Sequence, residues 1–465
     1  MKFAIFILAV LIALPCGAQT LRYIAPASAT PAGSDSNNGV DAAHPWLTVN
    51  HALTAPTQIL AIAGTYAASS FATFGVCTSA SGDVCWLKCA TFDACKITGA
   101  NTPAMILRKS YWGVQGWEVS GTGNLGVCFY VSPTGTSMHH IILANNVCNG
   151  GANGFAFSSA NSTTSFDYVA DIGNIAWNAA QSTALCNSGH TLYEPIKSDS
   201  LPGTHIYVAG NFSFDNVTPS PCTGASTYDG EGIAFDDWGN GQSGGAAYDQ
   251  QGAIVNNISV FNGGYGVATT GNGSTAAHIY IQHNTSTHNM TASPTSTTTC
   301  GDLVLFGYPN GVKHVESMFN LVQTAAATAC AGGTIPLNAA MAEDADTTDI
   351  IATNWLYSAA GHNTATADDR GFVYGPNNIT GTDPAFASIT DPGAPNCSGK
   401  ASVPDCMATV IANYTPTNAA AKAYGYQPPS TTSRYDALYP QWLCSVTGLP
   451  TGLVTPGCVT GMRWE

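Results

Sequence analysis

The chain has 465 residues, with 13 Lys and Arg against 28 Asp and Glu, and its formal net charge is −15. Hydrophobic residues make up 45% of the sequence, which is too many for a disordered chain. The negative charge argues against a nucleic-acid partner, because binding to phosphates requires clustered Lys and Arg. With 9% charged residues and 49 Gly, the composition favours strands and turns over long surface helices.

The first 18 residues predict a secretory signal peptide. Lys2 provides the positive start, an apolar run follows over residues 3–14, and the segment ends in the small residues Gly17 and Ala18. The apolar run is too short to span a bilayer, and no later run is long enough. We therefore expect an exported protein, extracellular or periplasmic, without a membrane partner. A lipoprotein signal that uses Cys16 is the alternative, which Pro15 fits poorly.

The cysteine count also suggests export. Of the 15 cysteines, loss of Cys16 with the signal leaves 14, an even number that predicts disulfides in an exported chain. Cys85, Cys89 and Cys95 are spaced closely enough for a zinc site, but no fourth Cys or His follows at ligand spacing. Local disulfides are the better interpretation.

The start of the mature chain predicts short elements separated by turns. Residues 23–26 predict a strand, residues 33–39 a turn, residues 45–53 a short helix and residues 62–66 the next strand.

A phrase of alternating apolar residues that ends in Asn recurs through the middle of the chain, at intervals of 27 to 46 residues. Short strands that alternate with Asn or Gly turns are typical of a β-solenoid. Asn tolerates a left-handed backbone at a tight bend, and its amide can bond the Asn stacked on the next coil. The unequal intervals favour a right-handed parallel β-helix over a β-propeller, whose repeats are more uniform. The recurring residues are Asn146, Asn174, Asn211, Asn257, Asn284, Asn320 and Asn354.

The opening segment (residues 23–53) and the phrase at residues 381–386 resemble the two ends of secreted right-handed parallel β-helix proteins of the pectate-lyase-like superfamily. The resemblance covers most of residues 20–390. It implies an all-β, single-domain right-handed parallel β-helix over residues 19–390. Residues 391–465, the C-terminal tail, contain four cysteines and are expected to form an irregular segment that is stapled by disulfides and packed on the last coils.

Stacking makes residues at equivalent positions of successive coils neighbours, about 4.8 Å apart. Alignment of the strands that begin at Gly154, Gly189, Gly232 and Gly266 places Tyr193 beside Asp236 and Glu194 beside Asp237. His190 falls in a column of apolar residues, so we expect it to point into the core.

The third of these strands lies in the most acidic stretch of the chain. A carboxylate in a strand of low-charge sequence is costly unless it is exposed, paired or a metal ligand. Neighbouring carboxylates separate their pKa values, so that one can act as acid and the other as base or nucleophile, as in glycosidases. The principal hypothesis is therefore acid/base hydrolysis of a polysaccharide, without a cofactor, by residues drawn from Asp229, Asp236, Asp237 and Glu194.

Two other interpretations of the acidic stretch remain open. Carboxylate oxygens are the ligands that Ca²⁺ prefers, and the candidate metal ligands are Asp229, Glu231, Asp236 and Asp237. Alternatively, these residues are solvated turn residues.

The paired aspartates on a β-helix face are similar to those of polygalacturonase-type glycoside hydrolases. The rival function is that of a polysaccharide lyase. Resemblance to the lyases of this fold implies that Ca²⁺ neutralises a uronate and that a Lys or Arg removes the C5 proton. Lys197 is the candidate base, and an ordinary loop lysine is its alternative role. The scarcity of Lys and Arg favours a neutral or weakly charged glycan, and hence hydrolysis.

Sugar binding is expected from the residues around the acidic stretch, since aromatic side chains suit pyranose faces. The candidates are Tyr193, Tyr228, Glu231 and Trp238. The predicted partner is a polysaccharide, and we expect a monomer. The third hypothesis is a non-catalytic glycan-binding or adhesin β-helix.

Overall fold

The computed structural model of the protein describes residues 20–54, 58–67, 75–77, 84–100, 103–122, 126–182, 188–218, 230–240, 244–269, 277–289, 291, 301–306, 314–324, 338–343, 350–358, 376–427 and 438–449. The predicted signal peptide lies outside these ranges. Within them, no helix combines the length and the apolar character needed to cross a bilayer.

Three sheets make up the described part of the chain, and we number the strands β1 to β30 along the sequence. Sheet A contains β1 (Leu21–Ile24), β2 (Gln58–Ala61), β4 (Cys85–Cys89), β7 (Trp112–Gln115), β10 (Met138–Ala144), β13 (Phe166–Ile172), β16 (Thr204–Ala209), β19 (Gln251–Val255), β22 (Ile279–Gln282), β25 (Val315–Met318) and β28 (Ile350–Ala352).

Sheet B contains β3 (Gly64–Ala67), β5 (Cys95–Ala100), β8 (Trp117–Thr122), β11 (Val147–Gly150), β14 (Ile175–Trp177), β17 (Phe212–Phe214), β20 (Ile258–Val260), β23 (Thr285–Thr287), β26 (Leu321–Thr324), β29 (Trp355–Ser358) and β30 (Ile379–Thr380). Sheet C contains β6 (Met105–Leu107), β9 (Val127–Val131), β12 (Asn153–Ser158), β15 (His190–Tyr193), β18 (Ile233–Asp236), β21 (Val267–Thr269), β24 (Gly301–Phe306) and β27 (Asn338–Glu343).

The path of the chain confirms the predicted parallel β-helix. A coil passes through one strand of sheet A, one of sheet B and one of sheet C, as β10, β11 and β12 do, and then begins again in sheet A. The strands of neighbouring coils pair in parallel and in register, for example Tyr193 with Asp236. Residues far apart in sequence therefore stack in columns along each sheet.

Short helices flank the coils. Helix α1 (Val49–Leu53) begins four residues later than the sequence predicts, because the Thr48 side chain caps it by accepting a hydrogen bond from the His51 amide. Helices α2 (Val403–Cys406) and α3 (Ala408–Asn413) and the 3₁₀ turns Ala421–Ala423 and Gln441–Ser445 lie in the C-terminal tail.

A ladder of buried asparagines joins the coils between sheets A and B, as predicted. The Asn174 side-chain oxygen accepts the Asn146 amide at 2.7 Å, and the Asn174 side-chain nitrogen donates to the Leu143 carbonyl at 2.8 Å. The pattern repeats at each of the seven predicted residues and extends to Asn378, which accepts the Asn354 amide at 2.8 Å. Each side chain thus satisfies backbone groups that the turn would leave buried without partners.

A second, shorter ladder lies between sheets B and C. It runs from Asn216 through Asn262 to Asn289. It ends on Asp302, whose carboxylate accepts the Asn289 side chain at 2.7 Å and its backbone amide at 2.9 Å. Burial raises the pKa of Asp302 to about 7, although the hydrogen bonds from Asn289 oppose the shift.

Disulfides and large side chains fill the interior of the early coils. The pairs are Cys77–Cys85, Cys89–Cys95, Cys128–Cys148 and, in the tail, Cys397–Cys406. The local pairing expected for Cys85, Cys89 and Cys95 is confirmed. Cys444 is also in a disulfide. The remaining cysteines lie outside the described residues.

The C-terminal tail packs along the outside of sheets A and B. On sheet A, Leu438, Tyr439 and Trp442 cover apolar residues from Trp86 in β4 to Val255 in β19. On sheet B, tail residues cover apolar side chains of four strands; they are Val403, Met407, Val410, Tyr414 and Tyr426. The tail therefore reaches back to the early coils and does not pack on the last coils alone as predicted, because the outer faces of both sheets are apolar over that length.

We predict that Asn257→Ala destabilises the fold by about 2–4 kcal/mol, because it leaves the buried Asn211 amide and the Val208 carbonyl without partners. Chemical denaturation monitored by circular dichroism measures this change. The exposed Asn38→Ala serves as the matched control. A variant as stable as this control would contradict the role assigned to the ladder.

We predict that Asp302→Asn stabilises the protein by about 4 kcal/mol at pH 8 and by nearly nothing at pH 4. The folded pKa lies above the usual value of about 4, so the folded state binds the proton more tightly and loses stability as the pH rises from about 4 to 7. Asn keeps the acceptor for Asn289 without the buried charge. Equal effects at both pH values, measured against the exposed Asp383→Asn, would contradict this explanation.

Candidate active site

The outer face of sheet C differs from those of sheets A and B, because the apolar clusters that the described tail forms lie on sheets A and B. Near the carboxyl ends of its strands, Ser158, Tyr193 and Asp236 form an outward, half-buried column. Beside them lie buried small residues of the same face, including Ala156 and Ala234. We call this column the polar track.

Three carboxylates surround Tyr193 on the polar track. Burial raises the pKa of the Tyr193 phenol, and the negative charges of Glu194, Asp236 and Asp237 raise it further. The phenol also hydrogen-bonds the Glu194 carboxylate. The structure therefore brings together the four residues that the alignment placed side by side, and it keeps the Tyr193 proton in place.

Glu194 and Asp237 are equivalent residues that turn the chain out of sheet C. Both have a left-handed backbone, with φ of 50°, a conformation that residues other than glycine adopt at many turns of this chain. Each is only 1% exposed. Glu194 accepts the Ser159 hydroxyl at 2.8 Å, and its amide donates to the Asp236 carbonyl at 3.0 Å. Of the described carboxylates in this cluster, Asp236 alone is half-buried and faces outward.

The residues of the acidic stretch do not all lie together, as a single site would require. Glu231 precedes β18 and Asp236 ends it, so the strand separates the two residues by about 17 Å. The Glu231 carboxylate instead accepts the Ser188 hydroxyl at 2.6 Å, and burial raises its pKa. Asp229 and Tyr228 lie outside the described residues.

The described residues do not form the predicted Ca²⁺ site. Within the described ranges, no group of three or more His, Cys, Asp or Glu side chains is arranged to hold a metal ion. The separation of Glu231 from Asp236 and Asp237 explains this, since a Ca²⁺ ion needs its oxygen ligands at about 2.3–2.6 Å.

Lys197, the predicted base, is engaged on the surface. Its Nζ lies 2.5 Å from Asp249 Oδ2, and both side chains are partly exposed. This contact holds the Lys197 side chain against Asp249.

Trp238 does not have the position expected of a sugar platform. It is fully buried, its indole stacks on Phe235 at 4.2 Å, and its Nε1 donates to the Leu192 carbonyl at 3.1 Å. The left-handed turn at Asp237 reverses the chain, so that the next side chain packs into the core. The prediction that Trp238 binds substrate is therefore wrong.

A buried Asp–His pair lies inside the coil below β15. His190 points inward, as expected, and its Nδ1 lies 2.7 Å from Asp171 Oδ2. Both residues are fully buried, and the His190 ring stacks on Phe155 at 4.8 Å. The pair joins sheet A to sheet C across the interior and fixes the strand that carries Tyr193.

A second polar network, which the sequence did not predict, holds the segment that follows Glu194. The Asp167 carboxylate accepts the Tyr248 hydroxyl at 2.6 Å and the Ser198 amide at 2.7 Å, and His205 Nδ1 lies 3.0 Å away. Burial alone would raise the pKa of Asp167, but the bonds from His205 and Tyr248 lower it overall. Burial alone would lower the pKa of His205, and Asp167 raises it overall.

Known proteins offer similarity in chain path only. No protein-family model and no curated protein sequence matches the chain. Pectate lyase Pel9A is 14% identical, with a TM-score of 0.40 over 72% of this chain and 82% of that one. The A-module of the mannuronan C-5 epimerase AlgE4 of Azotobacter vinelandii is 12% identical, with a TM-score of 0.32 over 72% and 92%.

A third solved structure is the PL6 family polysaccharide lyase Pedsa3628 from Pseudopedobacter saltans. It is 13% identical, with a TM-score of 0.29 over 76% of this chain and 94% of the lyase. Likenesses of this size do not transfer an activity to this chain.

We predict that Asp167→Asn destabilises the protein by about 3–5 kcal/mol, because it breaks a buried ion pair and presents an amide to the Ser198 donor. The Asp167 contribution exists above about pH 4 and is lost as the pH falls through its lowered pKa. The His205 contribution is complete below about pH 6.5 and is lost as the pH rises through its raised pKa.

The loss should therefore be larger at pH 5.5 than at pH 8.5 in urea unfolding experiments. Asp41→Asn is the matched control, because it removes an exposed Asp–His pair. A loss that is independent of pH would contradict the charged state assigned to the pair.

Proposed function

We propose that the protein is an exported enzyme that cleaves an acidic polysaccharide by β-elimination, with Asp236 and Tyr193 of the polar track as the reacting groups. The observation that carries this proposal is the position of Tyr193, which pairs in register with Asp236 on the outer face of sheet C and lies among three carboxylates. The disulfides agree with export, since they persist in oxidising compartments.

Burial of the carboxylates argues against the hydrolysis expected from the sequence. A glycosidase needs two carboxyl groups that reach the scissile bond. Glu194 and Asp237 are almost completely buried, which leaves Asp236 as the carboxylate of the described cluster that can contact a sugar. Elimination requires one base and one acid, which can be Asp236 and Tyr193, and also a cation that neutralises the uronate, which the experiment below supplies as calcium.

The chemistry assigned to the pair is balanced. Asp236 takes the proton from C5 of a uronate, and the electron pair forms the double bond between C4 and C5. The bond from C4 to the glycosidic oxygen breaks, and Tyr193 gives its proton to that oxygen. The raised pKa of Tyr193 keeps this proton on the phenol until the leaving oxygen needs it.

Glu194 and Asp237 act as positioning residues. Glu194 bonds the Tyr193 phenol and is itself held by Ser159. The buried pair below β15 and the network around Asp167 fix the strand and the segment on either side of Glu194.

The experiment is a screen of uronate-containing and neutral polysaccharides, with and without calcium, that measures both near-ultraviolet absorbance and new reducing ends. We expect an unsaturated, absorbing product. Asp236→Asn and Tyr193→Phe should each lower kcat at least 100-fold, the size of an acid/base contribution. Asp41→Asn is the control for a change of charge on the surface.

Reducing ends without the absorbing product would contradict elimination and support hydrolysis. Activity that survives in Asp236→Asn but is lost in Lys197→Met would contradict the pair and support Lys197 as base. Binding of a glycan without turnover would support the adhesin hypothesis.

A further inference from the structure

The polar track extends two coils beyond Ser158, towards the N-terminal end of the helix. Phe157 pairs with Val131, and Val131 pairs with Leu107, so the residue after each continues the column of Tyr193. The amide of Ser132 also donates to the Leu107 carbonyl at 3.0 Å, which keeps the two strand ends in register. The track therefore reads Arg108, Ser132, Ser158, Tyr193 and Asp236, and Arg108 lies about 14 Å from the Tyr193 coil.

Arg108 combines partial burial with a nitrogen that has no hydrogen-bond partner. It is half-buried, and its Nε is buried without a hydrogen-bond partner. None of the ion pairs found among the described residues involves it, although the chain carries a net charge of −15. An unpaired, partly buried guanidinium is costly, and it is the side chain that best matches a planar anion such as a carboxylate.

The surroundings of Arg108 suit a sugar that carries an acid. Ile106 and Tyr130 pair in register on the outer face beside the track, and both are half-buried. They offer an apolar and aromatic surface to a pyranose ring. Lys109, which follows Arg108, is also half-buried and adds a second positive charge.

The charge of the site makes a distant cation necessary. An acidic chain that reaches Tyr193 meets three carboxylates, which repel it. Attraction must therefore come from elsewhere along the bound chain, and Arg108 is the cation that the column provides.

We propose that Arg108, with Ile106 and Tyr130, forms a remote subsite for the anionic group of a sugar about three units from the bond above Tyr193. The group is a carboxylate or a sulfate ester, both of which accept two parallel hydrogen bonds from a guanidinium. The subsite rests on the proposed function for its distance from the reaction, but its binding of an acidic sugar can be measured independently of turnover.

The test is calorimetric titration of Asp236→Asn, alone and combined with Arg108→Gln, Arg108→Lys or Arg22→Gln. The probes are galacturonate oligomers of two to six units, sulfated galactose oligomers and neutral cello-oligomers. Arg22→Gln is the matched control, because it removes the same charge from a side chain that lies over Trp46.

We expect Arg108→Gln to weaken binding of acidic oligomers of at least four units about tenfold or more, with dimers and neutral oligomers unaffected. Arg108→Lys should recover part of the affinity. The class of acidic oligomer that shows the loss identifies the group as carboxylate or sulfate. The thermal midpoint of Arg108→Gln should not fall, since the arginine has no described partner to lose; a clear fall would indicate a structural role and contradict the subsite.

Equal affinities of the Arg108→Gln and Arg22→Gln proteins for long acidic oligomers would overturn the subsite while leaving the proposed function standing. The converse outcome is that the wild-type protein cleaves none of the acidic polymers while Arg108→Gln still weakens oligomer binding tenfold. That result would support the subsite and overturn the proposed enzyme. A protein that binds no acidic oligomer would overturn both.

Discussion

Register between coils, fixed by the asparagine ladder, is the constraint on which the rest of the structure depends. Each ladder side chain accepts a backbone amide of the preceding coil and donates to a carbonyl of that same coil, so a shift between the two coils would leave buried polar groups without partners. Because the coils cannot slip, the strands of sheet C remain aligned, and Tyr193 stays beside Asp236.

The sequence predicted what depends on this repetition. The Asn phrases give the coil, and the Gly-initiated strands place Tyr193 beside Asp236 and His190 among inward residues. The errors occur where a local feature breaks the repetition. Trp238 follows a left-handed residue and turns into the core, and Glu231 lies at the opposite end of its strand from Asp236.

Contacts of a strand with another sheet or with a loop were out of reach of the alignment. Asp171 meets His190 across the interior, and Asp167 meets Tyr248, which is 81 residues away. Alignment of equivalent positions compares residues within one sheet, so it does not identify partners in another. The one available sign of such a contact is a charged residue in an otherwise apolar column. Asp171 is such a residue, and it indicates that a buried partner exists but not which residue it is.

The outer faces of the three sheets differ in the residues that they present. Apolar residues on sheets A and B are covered by the C-terminal tail, whereas sheet C presents Ser158, Tyr193 and Asp236. Burial of Glu194 and Asp237 then limits the chemistry, because these carboxylates can orient Tyr193 but cannot reach a substrate.

A crystal structure of Asp236→Asn soaked with a galacturonate hexamer tests the central claim most directly. The account predicts sugar density along the outer face of sheet C, with a glycosidic oxygen next to the Tyr193 hydroxyl and an acidic group at Arg108. A hexamer bound on another face of the helix, with Tyr193 uncovered, would contradict it.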